Sequence, residues 1–249
     1  MSPRTRFFLA LLLALSAAVC IRLGIWQLSR LRERRAANAT IRSAMARPEV
    51  SLDSIAPESV SFRRVRATGE YDHAHEFVIR NQAHRERPGV TVATPLRLEG
   101  TDTAVLVLRG FVPAADATTA DLDSLVEPGV LTVRGTARPL ATRGDAGEPI
   151  TRNGRTTWRG LDSTAVMAAL PYPLVPIVIQ QTPDSALPRV PRRVPPPVLD
   201  DGSHLSYTIQ WFAFATIAIV GGIRLIARPR RSTAHAPSAV APPPSPPVA

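Results

Sequence analysis

Two short stretches of the sequence combine residue types and spacings that could do chemistry. One is Asp72-His73-Ala74-His75, where two imidazoles stand two positions apart next to a carboxylate. On one strand face the two histidines could share a metal ion, or they could act with Asp72 in the site of a membrane-anchored hydrolase. We favour a solvated strand end over both, because this spacing alone is weak evidence.

The other stretch opens a long apolar run towards the carboxyl end of the chain. One helix face carries a titratable imidazole, aromatic rings and then a small residue at positions i, i+3 or i+4, i+7 and i+11: His204, Tyr207 or Thr208, Trp211 and Ala215. A first apolar run ends with Trp26, Gln27 and Arg30. If the two runs form an antiparallel helix hairpin, these side chains lie at the same depth and form a candidate binding site.

Neither stretch belongs to a known catalytic motif. The sequence has no G-x-S-x-G, no H-E-x-x-H, no Walker loop and no dinucleotide-binding fingerprint. Its one cysteine, Cys20, excludes an intramolecular disulfide and a cysteine-based zinc cluster. We therefore expect a protein that is not an enzyme.

The net charge of +10 comes from the two ends of the chain. Residues 1–47 have a net charge of +8 and residues 204–249 of +4, whereas residues 48–203 have a net charge of −2. A nucleic-acid-binding protein carries its basic patch on the folded domain, so we expect no nucleic-acid partner.

Two apolar runs are long enough to cross a bilayer. The first extends from Phe7 to Leu28, which as a helix measures roughly 33 Å. The second extends from Leu205 to Ala227. Arg4, Arg6 and the Arg224–Arg231 cluster favour cytoplasmic ends. The arginines of 30–35 oppose this locally, but long domains are translocated largely regardless of flanking charge, so we expect the central domain outside the cytoplasm. A cleaved signal peptide, with its cut near Ser16-Ala17-Ala18, is the alternative for the first run.

The predicted domain order follows from these runs. Residues 1–6 are a cytoplasmic amino terminus, 7–28 and 204–227 are transmembrane helices, 29–203 are a periplasmic β-rich domain with a Pro-rich linker over 183–203, and 228–249 are a disordered Pro-rich cytoplasmic tail. Because little precedes Phe7, we expect a bacterial inner membrane rather than a mitochondrial one.

Short β-branched runs separated by Gly and Pro predict that the middle of the chain is an antiparallel, barrel-like domain. The candidate strands are Phe62–Tyr71, Glu76–Asn81, Val90–Leu96, Val105–Val112, Val130–Ala137 and Ile177–Gln181. Pro88-Gly89 and Pro128-Gly129 predict turns. Asp116–Val126 is a candidate short helix, and Ser163 or Thr164 a candidate cap for another helix that ends at Leu170.

Five motifs in order resemble the Surfeit locus protein 1 family, membrane assembly factors for cytochrome c oxidase. They are Gly24-x-Trp26-Gln27-x-x-Arg30, Phe62-Arg63-Arg64-Val65 through Gly69-Glu70-Tyr71-Asp72, Thr94-Pro95-Leu96, Val107-Leu108-Arg109-Gly110-Phe111-Val112-Pro113 and His204-Leu205-x-Tyr207-x-x-x-Trp211-Phe212. The resemblance extends from the first apolar run to the second. One departure is Phe111, where the family usually has tryptophan.

The resemblance implies a chaperone for respiratory-chain biogenesis that helps to place haem a in oxidase subunit I. It implies His204 as the haem-iron ligand, and neutral imidazole is a common haem ligand. The other expected cofactor-binding residues are Trp26, Gln27, Arg30, Tyr207 and Trp211. Subunit I is the expected partner, with lipid around the spans and haem a synthase as a second candidate. A scaffold that grasps subunit I without haem is the alternative, followed by the hydrolase.

Overall fold

Residues 2–54, 56, 59–140, 142, 148–152, 155–196 and 198–227 are described by a computed structural model. The chain divides into two compact units, Met1–Arg34 with Asp201–Ala249 and Arg35–Asp200. The predicted disordered tail, 228–249, lies outside the described residues.

The described residues contain three α-helices, α1 Pro3–Ala46, α2 Ser163–Ala168 and α3 His204–Ala227. Helix α1 continues well beyond Leu28 because its next residues are mostly Arg, Ala and Leu, which are strong helix formers. It ends just before Pro48, as expected for the residues that precede a proline. Helices α1 and α3 are each long and apolar enough to cross a membrane.

In the first unit, α1 and α3 pack through small residues. A Cβ atom on Gly24 would lie 3.0 Å from the ring of Phe212, so glycine permits this close approach. Further along the pair, Cβ atoms on Gly221 and Gly222 would each lie 3.8 Å from Leu13. The buried side chains of α3 are Thr208, Ala215 and Ala218.

The second unit is β-rich. Its described strands are β1 Val50–Ser51, β2 Arg64–Tyr71, β3 Phe77–His84, β4 Arg87–Leu98, β5 Ala104–Pro113, β6 Val130–Pro139, β7 Ile150–Arg152, β8 Arg155–Trp158 and β9 Leu174–Gln181.

Five of these strands close into a barrel in the order β2-β6-β9-β5-β4, and β4 pairs again with β2. Closure occurs where Gly69 pairs with Leu98 and Tyr71 with Leu96. A Cβ atom on Gly69 would lie 2.0 Å from the carbonyl oxygen of Arg97, so the closing contact requires glycine. The remaining strands extend the sheet from this barrel.

The barrel interior is filled by the inward-facing side chains of all five strands. They include Val65, Ala67, Leu96, Val105, Val107, Val133, Ile177 and Ile179. A second apolar cluster, which includes Leu106, Val166 and Val178, covers part of the outer face of β5 and β9 with α2. Strand β5 is therefore buried on both faces, which explains its continuous apolar run.

Most of the sequence-based expectations for this unit are confirmed, and four are corrected. All six candidate strands form, and every strand end lies within three residues of the expected one. The sheet is not wholly antiparallel, because β1–β2, β3–β8 and β5–β9 are parallel pairs. Of the expected helix Asp116–Val126 only a 3₁₀ turn, Asp123–Leu125, forms. Asp162, not Ser163 or Thr164, caps α2.

The turn expected at Pro88-Gly89 was also misplaced. Both residues lie inside β4, and the chain reverses at Arg85-Glu86, which both have positive φ. The usual Asn-Gly signal of such a two-residue turn is absent there.

The Pro-rich segment 183–203 contacts the barrel over part of its length. The backbone of Arg192 forms a bridge with Phe111, and the side chain of Arg193 is buried.

Candidate functional site

In the helical unit, two of the six predicted site residues, His204 and Gln27, are in contact. The Nδ1 atom of His204, at the start of α3, lies 2.8 Å from Oε1 of Gln27 on α1. The amide oxygen only accepts hydrogen bonds, so in this orientation Nδ1 of His204 carries the proton and donates it. Neutral His204 then has its lone pair on Nε2.

This arrangement is the one that metal-binding histidines usually adopt. One ring nitrogen donates to a neighbouring oxygen, which fixes the ring and its tautomer, and the other nitrogen binds the metal. Among the described residues, Nε2 of His204 has no hydrogen-bond partner. The chemistry of this donor fits a haem iron.

The structure does not bring the other four predicted residues to this contact. Trp26 and Tyr207 are exposed, as is common for aromatic residues at the ends of membrane spans. The ring of Trp211 packs against Phe214 on its own helix, with centroids 6.0 Å apart. Arg30 forms an exposed ion pair with Glu33 at 2.7 Å. Of Tyr207 and Thr208, the two alternatives at position i+3 or i+4 of the helix face, Thr208 is buried.

The β-rich unit contains a buried ionic cluster that the sequence did not predict. Its centre is Arg109, which the register of β5 against β4 leaves as the extra residue of a β-bulge. Val92 pairs with Gly110 and Ala93 with Leu108, so Arg109 has no partner across the pair. The next residue, Gly110, has φ of +140°. The bulge directs the Arg109 side chain into the protein, where it is fully buried.

Two carboxylates neutralise Arg109. Its Nη1 donates to Oε1 of Glu76 at 2.9 Å, and its Nη2 donates to Oε1 of Glu127 at 2.7 Å and to the carbonyl oxygen of Leu125. The guanidinium also lies 5.0 Å above the ring of Tyr71. Buried charges require such partners, because removing them from water is costly.

A second arginine completes the cluster from the Pro-rich segment. Nη2 of Arg193 donates to the same Glu127 oxygen at 2.8 Å, and Nε donates to Oε1 of Gln181 at 2.9 Å. Its Nη1 donates to the carbonyl oxygens of Pro188 and Pro191. The two arginines and two glutamates balance in charge, and they attach segments distant in sequence to one strand.

Glu127 and Tyr71 in this cluster both have shifted pKa values. Burial alone would raise the pKa of Glu127, but the hydrogen bonds and positive charges of Arg109 and Arg193 outweigh burial and hold it below its ordinary value of 4.5. Burial raises the pKa of Tyr71 well above its ordinary value, so the phenol stays neutral. Within the described part of the chain, the Tyr71 hydroxyl and Nε of Arg109 have no hydrogen-bond partner.

The two histidines of the Asp72–His75 stretch belong to different clusters. His73 joins the Arg109 cluster: its Nε2 accepts from the backbone N–H of Glu127 at 3.2 Å, so its Nδ1 donates to Oε1 of Glu76 at 2.9 Å. The stretch forms a 3₁₀ turn capped by Asp72, and His73 is half-buried. The expected solvated strand end is therefore wrong for His73.

His75 pairs instead with Asp72. Nδ1 of His75 and the hydroxyl of Tyr172 both donate to Oδ2 of Asp72, at 2.8 and 2.7 Å. Burial would raise the pKa of Asp72, but these two bonds, the charge of His75 and the backbone N–H of Ala74 together outweigh burial and lower that pKa. A carboxylate that holds a histidine is part of many hydrolase sites, yet in the described ranges no hydroxyl or thiol hydrogen-bonds the other ring nitrogen of His75. The described residues also contain no group of three or more His, Cys, Asp or Glu side chains placed to hold a metal ion.

Comparison with known proteins decides the family. The model of the SURF1 family matches residues 14–216, which include most of α1, the whole barrel and the first half of α3. The chain belongs to the SURF1 family. The chain is 26% identical to a SURF1-like protein of Monosiga brevicollis, covering 89% of this chain and 87% of that protein.

Two bacterial relatives give the same result. Uncharacterised SURF1-like proteins of Mycobacterium bovis and Mycobacterium tuberculosis are each 29% identical to this chain, over 80% of it and 74% of their own length. SURF1 family members are generally cytochrome oxidase assembly factors. The matched range contains the His204–Gln27 contact and the Arg109 cluster.

Proposed function

We propose that this protein is a two-span membrane assembly factor that holds haem a for insertion into cytochrome c oxidase subunit I. The observation that carries the proposal is the 2.8 Å contact between Nδ1 of His204 and Oε1 of Gln27. It joins two helices that are long and apolar enough to span a bilayer, in a chain whose family serves oxidase assembly.

In this proposal His204 binds the haem iron through Nε2. Gln27 is a positioning residue, because its oxygen accepts the Nδ1 proton and so keeps the lone pair on Nε2. Bound haem a is the cargo and is released when subunit I offers a better set of ligands. A single histidine suits such a transfer, since a site with two strong axial ligands would compete with the receiving site.

Trp26, Tyr207 and Trp211 fit this proposal as apolar and aromatic surface for a macrocycle or for lipid. Arg30 can pair with a haem propionate, but only after it leaves Glu33, and the exposed Arg30–Glu33 pair is weak enough for this exchange.

The orientation of the protein belongs to the same proposal. In this proposal the two ends are cytoplasmic and Arg35–Asp200 is periplasmic in a bacterial inner membrane, and the basic residues near both ends support that orientation. Subunit I is the partner, and haem a synthase is a second candidate as the source of the cargo.

The proposal is tested in cells that lack the gene. Oxidase is purified from cells complemented with wild-type protein, His204→Ala or Gln27→Ala, and haem a is measured per subunit I. We expect wild-type haem content to return, and His204→Ala to leave subunit I poor in haem a.

If His204→Ala restores full haem content, the result supports the alternative of a scaffold that binds subunit I without haem. If instead an intact protein shows hydrolysis that His75→Ala abolishes, the hydrolase alternative gains the support that the Asp72–His75 contact alone does not supply.

A further inference from the structure

A groove of about 430 Å³ on the outer face of the barrel takes no part in the proposed haem site. This volume is within the range of small-molecule binding sites. Most of its residues come from strands β3, β4, β5, β6 and β9 and from the loop after β8, and the arginines of β6 and of that loop are exposed. We call it the arginine groove, and its residues include Ile79, His84, Leu108, Phe111, Arg138 and Arg159.

The charge of the arginine groove is opposite to that of the domain around it. Residues 48–203 have a net charge of −2. The residues that line the groove, taken from the described part of the domain, include two arginines and a histidine but no aspartate or glutamate. A cationic groove in a slightly acidic domain is complementary to an anion.

Both arginines are available to a ligand. In the described ranges Arg159 is exposed and has no ion pair or hydrogen bond. Arg138 is also exposed, and the single hydrogen bond of its side chain in those ranges is a long one of 3.4 Å from Nη1 to Oε1 of Gln180. Gln180 is itself fixed by its Nε2, which donates to the carbonyl oxygen of Val194 at 2.8 Å. Arg109 and Arg193, in contrast, are neutralised by glutamates and are buried.

The deeper part of the groove is apolar. Val178 is buried and Leu108 is half-buried, and both belong to the cluster that α2 covers further along the same face. The ring of Phe111 packs against His84, with centroids 5.6 Å apart. A ligand that fits has an anionic head for the arginines and an apolar body for this surface.

We propose that the arginine groove binds a small anionic amphiphile, a molecule with a carboxylate or phosphate head on an apolar body. Arg138 and Arg159 bind the head, since guanidinium groups make strong charge-assisted hydrogen bonds to both anions. Leu108, Phe111 and Val178 contact the body. This site is independent of His204 and of haem.

The test uses the full chain in phosphatidylcholine nanodiscs, with empty nanodiscs as the blank. Isothermal titration calorimetry measures the binding of 4-phenylbutyrate, phenyl phosphate and 4-phenylbutylammonium. The third probe has the apolar body of the first and the opposite charge. We expect at least one anion to bind and the cation to bind at least tenfold more weakly.

Two double variants then locate the site. Arg138→Gln with Arg159→Gln is expected to weaken binding of the anion at least tenfold. Arg66→Gln with Arg87→Gln removes the same charge from exposed arginines outside the groove and is expected to leave binding within twofold of wild type. The proposal is overturned if neither anion binds above the blank, if the cation binds equally well, or if the two double variants bind alike.

Discussion

Arg109 owes its buried position to one irregularity in the backbone. The bulge in β5 removes it from the regular alternation of the strand and turns it towards Glu76 and Glu127. Its side chain is completely buried, so its charge depends on those two carboxylates. The stability of the barrel therefore depends on the pairing of Arg109 with Glu76 and Glu127.

The first prediction concerns the removal of this charge. Arg109→Met leaves two carboxylates without their common cation, and we expect a loss of about 3–5 kcal/mol in the free energy of unfolding. Thermal unfolding of the full chain in detergent measures the loss, with the exposed Arg87→Gln as the control. Adding Glu76→Gln to Arg109→Met is expected to restore part of it, because Glu127 then still balances the buried Arg193. An Arg109→Met protein as stable as the control contradicts this account of the cluster.

The second prediction concerns pH. The pKa of Glu127 is lower in the folded protein than its ordinary value of 4.5. Stability from this group is therefore present above pH 4.5 and is lost as the pH falls through the lower, folded-state value. Glu127→Gln should be less stable than wild type at pH 7, and the difference between them should shrink below pH 4.5. If the difference in unfolding temperature between the two proteins stays constant down to pH 3, ionised Glu127 does not stabilise the fold as predicted.

At the scale of elements, closure of the barrel depends on Gly69. Strand β2 approaches β4 so closely there that a Cβ atom would meet the carbonyl oxygen of Arg97. Backbone cannot move aside as a flexible side chain can, so strands β2 and β4 must separate if the residue is enlarged.

The third prediction follows from this contact. Gly69→Ala should lower the unfolding temperature markedly, because it breaks the pairing of β2 with β4, and new protease-sensitive sites should appear near Leu98. Gly160→Ala is the matched control, because a Cβ atom there meets nothing within 4 Å. Equal unfolding temperatures for the two variants would show that closure tolerates a side chain.

The sequence predicted elements well where the pattern was local. Val105–Leu108 is a continuous apolar run and Val130–Ala137 is rich in β-branched residues, and strands β5 and β6 form there. Strands β1, β7 and β8 have only two to four residues, too few for an alternating pattern to be read. The parallel pairing of β5 with β9 depends on contacts between distant segments, which no local pattern contains.

The same limit applies to the sites. The sequence predicted that His204 and Gln27 lie close together, because both are at the same end of an expected helix hairpin although they are 177 residues apart. It did not identify the partners of Arg109, because the bulge and the return of Arg193 both arise from tertiary contacts. The only sequence signal was the Arg109-Gly110 pair, where a glycine inside a strand indicates a bulge.

At the scale of the whole molecule, the arrangement of charge determines the proposed orientation. The fourth prediction places the two ends on the opposite side of the membrane from the barrel. After Cys20→Ala, a single cysteine at Thr118 should react with a membrane-impermeant maleimide in spheroplasts, and one at Ser232 only after the membrane is permeabilised. Labelling of Ser232→Cys in sealed spheroplasts would show either that the orientation is reversed or that the second helix does not cross the membrane.

The haem spectrum of the purified protein tests whether His204 binds haem a. The full chain is expressed with a haem a biosynthesis pathway and purified in detergent as wild type, His204→Ala, Gln27→Ala and Gln27→Glu. We expect haem a in near-equal ratio to wild-type protein and none in His204→Ala. Gln27→Ala should bind about 10–100-fold more weakly, and Gln27→Glu, which keeps the accepting oxygen, should recover binding. Folded wild-type protein that is colourless, from cells that make haem a, or His204→Ala with an unchanged spectrum, contradicts the claim.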